Sequence, residues 1–355
     1  MRARPVPAPP DVPLLGGPTP LTPAPGRSAV EREAVVSVVL PVGRPGPAAA
    51  RAAASVLAQR TGLPFELIAV GDLLAALPED SRLDRLVITD PNPSARRNLA
   101  ASRARGTVLA FLDDDAEADP EWLETGAAFL LAHDDMAAVG GPDPPPEDSG
   151  PAELLADTLL ATPFVGSGVL CHRGPDGVRD VRSPSDLALV NLFVRRSAFE
   201  AAGGLDESLG YGGEDTDLLA RLMRRGRVVY HSRVVVRHRR RAFPGAYLAQ
   251  RWRYRRKTGA LLVGGRSPHA RDPRLLAFLL AGLVFLLALA FRPALAAAML
   301  GLHALVTLAL GTRATRLPAR FWGLIPVGFA AHHAVYFAGI AAGAVSALAS
   351  RRPGA

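Results

Sequence analysis

The chain has one cysteine, Cys171, in 355 residues, which excludes an internal disulfide framework and a cysteine-based zinc cage and suits a reducing compartment. Lysine is equally scarce, with Lys257 alone among 41 basic residues. That skew toward arginine, beside abundant Ala, Gly and Pro, makes single arginines uninformative and leaves only their clusters to read. The composition is not polar enough for a wholly disordered protein: 49% of residues are hydrophobic, and the length suffices for one large or two ordinary domains. Residues 1–33 are dominated by Pro and Gly and lack the continuous apolar run of a signal peptide, so they are expected to form a disordered arm.

From Val35 onward the texture changes. "VVSVVLPV" (35–42), "FELIAV" (65–70), "RLVIT" (85–89) and "VLAFL" (108–112) are short and rich in β-branched residues, so they predict strands. "PAAARAAASVLAQR" (47–60) and "SARRNLAASRARG" (94–106) have helix-forming composition, the second with Gly106 as its expected C-cap. Alternating strands and helices predict parallel strands joined by right-handed crossovers and covered on both faces. The first strand leads into "LPVGRPG", with Pro41, Val42, Gly43 and Arg44 at its end.

Three strand ends deliver carboxylates: Asp72, Asp90, and the triplet Asp113, Asp114 and Asp115. In open α/β sheets the crevice beyond the carboxyl ends of the strands is where ligands bind. Adjacent carboxylates at the edge of a core repel one another and call for a compensating cation, and oxygen ligands suit a hard divalent metal shared with phosphates. The alternative is a solvated turn that caps the helix at "PEWLE".

"SARRNLAASRARGTVLAFLDDDAEADPEWLE" resembles the central segment of the family 2 glycosyltransferases at Arg97, Asn98, Ala104, Gly106, Asp113 to Asp115, Trp122 and Leu123. The resemblance continues through residues 191–238, where "GGLDE" precedes "GGEDTDL", so two acidic motifs stand about 100 residues apart. It implies an α/β fold, a Rossmann-like GT-A nucleotide-sugar-binding domain over 34–240, and inverting transfer of a sugar from a nucleotide diphosphate to an acceptor hydroxyl. On that resemblance the donor side would comprise Pro41, Asp72, Arg97, Asn98, Asp113 and Asp114. Mg2+ or Mn2+ would be held by Asp115, with Asp113 and His238 near it, and Asp215, with Glu214, would deprotonate the acceptor. Read from the residues alone, Asp215 or Thr216 could equally cap the helix that follows, whose Leu218, Leu219 and Leu222 share an apolar side, while Asp217 is expected to be structural. The chain departs from the family after the second strand, where Gly71 stands at an expected acidic position. A metal-dependent nucleotidyltransferase would also use a doubly wound sheet with metal-bound carboxylates, but it gives no role to the second acidic motif. A non-catalytic membrane scaffold derived from a transferase would account for Gly71.

Beyond residue 240 lie uncharged apolar runs at 275–291, at 294–310 and from Phe321 to about Ala349, which predict about three transmembrane helices over 275–350 with Arg292 and Pro293 in a turn. The preceding basic segment, 241–274, carries many arginines with Trp252 and Tyr254 between them. Beside membrane helices this pattern favours an anchor on anionic lipid over a nucleic-acid surface, and the arginines mark this side as cytoplasmic. The expectation is a multi-pass cell-membrane protein with a cytoplasmic catalytic domain, acting on a glycan or lipid-linked acceptor. Gly339 and Gly343 are expected to form a helix-packing face; His332 and His333 carry no assignment.

Overall fold

The computed structural model describes residues 35–43, 46–163, 169–265 and 273–350, with the side chains of 273 and 274 left aside. The Pro-rich arm, Arg44 and part of the segment before the first apolar run lie outside the described residues. In chain order the first half contains β1 (Val36–Val42), α1 (Pro47–Leu57), β2 (Phe65–Gly71), β3 (Leu83–Val87), α2 (Pro93–Arg103), β4 (Val108–Leu112), β5 (Ala116–Ala118), α3 (Trp122–Leu131) and β6 (Met136–Gly140). Then follow α4 (Pro151–Ala161), α5 (Leu170–Arg173), β7 (Val178–Asp180), β8 (Asn191–Arg195), α6 (Arg196–Ala201), α7 (Glu214–Leu222), β9 (Arg227–His231) and β10 (Val236–His238). The last part is helical: α8 (Gly245–Val263), α9 (Pro273–Phe291), α10 (Pro293–Ala314) and α11 (Leu324–Ser350).

The large sheet has the order β3-β2-β1-β4-β8-β6-β9-β7. Its first four strands are parallel, as the alternation of strands and helices predicts. The rest is mixed: β8 runs antiparallel to both β4 and β6. The helix α3 carries the chain from β4 to β6 and leaves one strand's width between them, and β8 fills that gap from the opposite direction. Trp122 at the head of α3 closes the joint: its indole N–H donates to Asn191 Oδ1 at 2.8 Å and its ring packs on Phe193 with 4.6 Å between centroids.

Two local expectations shift. The third strand starts at Leu83 rather than Arg85 and is only half-buried, as befits an edge strand whose polar residues obscure its limits. Gly106 does not cap α2, which ends at Arg103; a Cβ there would stand 2.6 Å from the Ser37 amide nitrogen, so this glycine is needed for close backbone packing under β1.

In the C-terminal part, α10 and α11 are long and apolar enough to cross a membrane by length and composition, and α9 adds a shorter apolar helix. The glycine pair on α11 meets α8: a Cβ on Gly343 would lie 1.8 Å from the Arg256 carbonyl oxygen, and one on Gly259 of α8 would lie 2.0 Å from that of Ile340. The two helices therefore touch backbone to backbone, as small residues permit. The segment between α10 and α11 returns to the sheet domain, with Leu317 buried in a cluster with Leu155 and Leu159 of α4.

Candidate active site

The carboxylate triplet follows β4 directly, and its three members face different partners. Asp113 accepts a hydrogen bond from Arg97 at 2.6 Å. Asp114 accepts one from the Gly43 amide at 2.7 Å and so ties the end of β4 to the turn after β1. Asp115 lies 3.3 Å from His238 Nε2 and 3.8 Å from Arg241. The small antiparallel pair β5–β10 makes the last contact, since it sets His238 opposite Ala116, next to Asp115 in sequence. The triplet caps no helix: α3 begins at Trp122 with Glu121 before it and has no side-chain cap.

Behind His238 stands a residue that the sequence did not single out. Asp143, buried, accepts from Arg240 at 3.0 Å and from the His172 ring at 2.8 Å, and lies 3.7 Å from His238 Nδ1. Burial would raise its carboxyl, but Arg240 and His172 outweigh that and hold it well below the usual carboxylate range. Burial alone would lower the His238 imidazole; the hydrogen bonds it donates to Asp115 and Asp143 overcome it and push the pKa up to about 9. Asp115 thus has a titratable cation against it, and its oxygens with the neighbouring His238 ring are two donors of the oxygen and nitrogen types that a divalent ion takes. Asp143, Cys171 and His172 also offer three ligand atoms within 4.8 Å. There, however, the carboxylate is already neutralised by the buried Arg240, and burial pushes the Cys171 thiol well above its ordinary value, so that trio makes a poor cation site.

The second acidic motif opens α7 after Gly212 and Gly213, both in the left-handed region. Gly213 is the N-cap and no side chain caps the helix, so neither Asp215 nor Thr216 has that duty. Glu214 is buried, 3.7 Å from Arg97, and its other oxygen accepts from the Gly212 amide at 2.6 Å. Burial first, then the Asp215 charge, push its carboxyl up to about 7 against the pull of Arg97. Asp215 accepts from the Thr216 amide at 2.8 Å and lines the same cavity as Asp113, Asp115 and His238. Asp217 pairs with Arg221 at 2.6 Å, and Arg221 also donates to the Ala202 and Gly204 carbonyls, which is a structural duty as expected.

On the nucleotide side the expected residues divide. Asp72 is partly exposed just beyond β2, with Arg96 at 3.7 Å. Arg96, also missed in the sequence, gathers three strand ends, since it donates to the Val42 and Asp90 carbonyls as well. Pro41 lies buried inside β1, paired with Val70, rather than at the open turn. Asn98 is turned elsewhere: its amide bonds the Leu205 backbone in both directions and Glu207 at 2.9 Å, which fixes the loop before the second motif. Gly71 has a packing cause, because a Cβ there would stand 2.4 Å from the Val42 carbonyl oxygen. The arginine run at 239–241 is not free for lipid either; Arg239 pairs with Asp148 and Glu153, Arg240 with Asp143 and Asp157, and Arg241 faces Asp115.

Comparison with known proteins places this arrangement. Residues 37–158 match Glycosyl transferase family 2, and residues 108–331 match Glycosyl transferase family group 2. The chain is 30% identical over 190 residues to the O-antigen biosynthesis protein RfbC of Myxococcus xanthus, covering 48% of this chain and 14% of the relative. It is 29% identical over 175 residues to the glucosyl-dolichyl phosphate glucuronosyltransferase of Haloferax volcanii, covering 45% of this chain and 51% of the relative. It therefore spans about half or less of the length of these curated relatives. A solved mannosyltransferase, PcManGT from Pyrobaculum calidifontis in complex with GDP-Man and Mn2+, shares the fold with a TM-score of 0.52 at 18% identity over 90% of this chain and 89% of that one. With a single family match running from β4 into α11, over more than half of its residues, the chain belongs to the family 2 glycosyltransferases, built on a GT-A fold with apolar helices at its C-terminal end.

Proposed function

We propose that the chain is an inverting, metal-dependent glycosyltransferase that moves a sugar from a nucleotide-diphosphate donor to a hydroxyl of a lipid-linked or cell-envelope glycan acceptor. The observation that carries this reading is the joining of two acidic groups across one cationic side chain: Arg97 touches Asp113 on the donor side and Glu214 on the acceptor side. Both groups line a single cavity of about 1360 Å³. Asp72 and Asp113 would receive the nucleoside, and Asp115 with Asp113 and His238 would hold Mg2+ or Mn2+. Bound there, such an ion supplies charge neutralisation to the leaving diphosphate. Asp143 and Arg240 keep His238 in place for that contact. Asp215 takes the proton of the acceptor hydroxyl as its oxygen forms the new bond to the anomeric carbon and the bond to the diphosphate breaks on the opposite face, which inverts the centre. Glu214, anchored to the Gly212 amide and Arg97, positions the loop that carries Asp215. The fold neighbour's printed complex with GDP-Man and Mn2+ is in keeping with this donor chemistry.

Incubating the purified full chain with nucleotide sugars, Mn2+ and a membrane extract tests the reading. Nucleoside diphosphate should be released without pyrophosphate, and the product linkage should have the opposite anomeric configuration to the donor. Pyrophosphate release would indicate a nucleotidyltransferase, and inertness toward every nucleotide sugar would indicate a scaffold.

The same proposal sets α9 to α11 in the cell membrane, with the sheet domain cytoplasmic. Thr315 and Leu317 pack against α4, so the loop around Arg316 must share the side of the sheet domain. The native Cys171 is buried, so it leaves a quiet background for labelling. A cysteine replacing the exposed Arg316 should resist a membrane-impermeant maleimide in intact cells and react after permeabilisation, whereas Arg292→Cys should react from outside; the reverse pattern overturns the orientation.

A further inference from the structure

The cavity that holds the carboxylates continues past them among the C-terminal helices. Its volume, about 1360 Å³, exceeds the roughly 1,000 Å³ at which pockets for a single small molecule usually end, so it has room for more than a nucleotide sugar. Its lining includes the carboxylates, basic side chains of α8 and apolar side chains of α9 and α10.

Arg251 and Arg255 form the basic section. They stand four residues apart on α8, hence on one face, and both line the cavity. The Arg251 guanidinium lies 4.9 Å from the Tyr254 ring centre and 5.5 Å from that of Tyr247 and, among the described residues, donates to its neighbour Gln250, while that of Arg255 lies 3.6 Å from the ring centre of Tyr336. Among the described residues neither has a carboxylate partner, and the Nε of each is buried with no hydrogen-bond partner. Arg239 and Arg240 nearby are, by contrast, fully paired. The position of Arg255 is enforced by backbone packing, since a Cβ on Gly339 would meet its Cβ at 2.8 Å. Both side chains are half-buried with no counter-charge, which is costly, and their planar forks match phosphate oxygens.

The two flanks of this pair say what kind of anion fits. On one side Tyr254 packs on the loop before α7: a Cβ at Gly212 would be 2.7 Å from its ring, and Glu214 is two residues farther on. On the other side the lining is apolar, from Leu275, Phe278 and Phe285 of α9 and Leu302 and Val306 of α10.

We propose that Arg251 and Arg255 bind the phosphate or diphosphate link of a lipid-linked saccharide, with its hydrocarbon chain between α9 and α10 and its sugar hydroxyl presented to Asp215. This deepens the transferase reading above, on which it rests, by naming the class of acceptor and the side chains that select it.

The test uses the full chain in phosphatidylcholine nanodiscs with EDTA, which keeps diphosphates from binding through a metal. Affinities are measured for farnesyl diphosphate, farnesol and inorganic diphosphate, with phosphatidylglycerol as competitor. Farnesyl diphosphate should bind more tightly than either of its parts, and phosphatidylglycerol should not displace it. Arg251→Gln with Arg255→Gln should weaken it by roughly tenfold or more while leaving farnesol unchanged, as expected for lost charge-assisted hydrogen bonds. Arg255→Lys, which keeps the charge, should retain most of the binding and guards against a folding defect in the Gln pair. Equal affinity in the Gln pair, farnesol binding as tight as the diphosphate, or displacement by phosphatidylglycerol would each overturn the proposal, the last by making the pair a site for bulk headgroups. Donor affinity is read on the same nanodiscs after EDTA is exchanged for Mn2+: its absence in the unaltered chain would sink the transferase reading without touching the lipid-phosphate result.

Discussion

Arg97, buried on α2, stands between Asp113 at 2.6 Å and Glu214 at 3.7 Å, and so one guanidinium links motifs about 100 residues apart in sequence. The nearer partner holds it most firmly. Glu214, pushed up to about 7 chiefly by burial and then by Asp215, gains less from Arg97 than it loses to its surroundings. Its folded value lies above its ordinary 4.5, so between about pH 4.5 and 7 the folded chain binds more protons than the unfolded one, and stability falls as pH rises through that window. Glu214→Gln removes this dependence: by urea unfolding, the variant should gain on the unaltered chain steadily up to about pH 7 and hold a constant margin above it. A pH-independent difference would show that Glu214 ionises normally. Arg97→Met should instead cost about 3–5 kcal/mol, since it leaves the buried Glu214 and the half-buried Asp113 without their counter-charge.

Asp115→Ala should abolish metal-dependent donor binding and leave the fold intact. One carboxylate fewer relieves repulsion in the triplet, and His238 keeps its contact with Asp143. Calorimetry with donor and Mn2+, alongside a melting curve, checks this, and unchanged donor affinity would remove Asp115 from the metal site.

Asp215→Asn keeps the size of the side chain and the bond to Thr216 but loses basicity. Transfer should fall by about 10²- to 10⁴-fold with donor affinity and melting temperature preserved. Because Gly213 is the cap of α7, the substitution should have little effect on stability. Near-normal turnover in a transfer assay would exclude Asp215 as the base.

Gly71→Asp restores the acidic residue common in the family, yet it should harm this chain. The new Cβ would press on the Val42 carbonyl at 2.4 Å, and overpacking of this kind typically costs about 1–3 kcal/mol. A lowered melting temperature with no gain in donor affinity is the expected result; tighter donor binding at full stability would mean that the strand ends can part.

What the sequence by itself determined was whatever depends on local pattern. Runs of β-branched residues marked β1, β2 and β4, uncharged stretches marked α9 to α11, and the two acidic motifs stood out by composition and spacing. Glycines at 339 and 343 were legible as a packing face because only a missing side chain lets helices approach so closely. Tertiary structure alone decided which charges meet. Asp143 and Arg240 look like ordinary loop and surface residues until the strand pairing of β5 with β10 brings His238 to Asp115 and closes the polar chain behind it. The antiparallel entry of β8 likewise depends on a gap left by α3, not on anything local to residues 191–195. Arg239 and Arg240 are spent on carboxylates while Arg251 and Arg255 are left unpaired, although all four belong to one basic stretch. Charge in a sequence is additive, whereas pairing and burial depend on distances that only the folded chain sets.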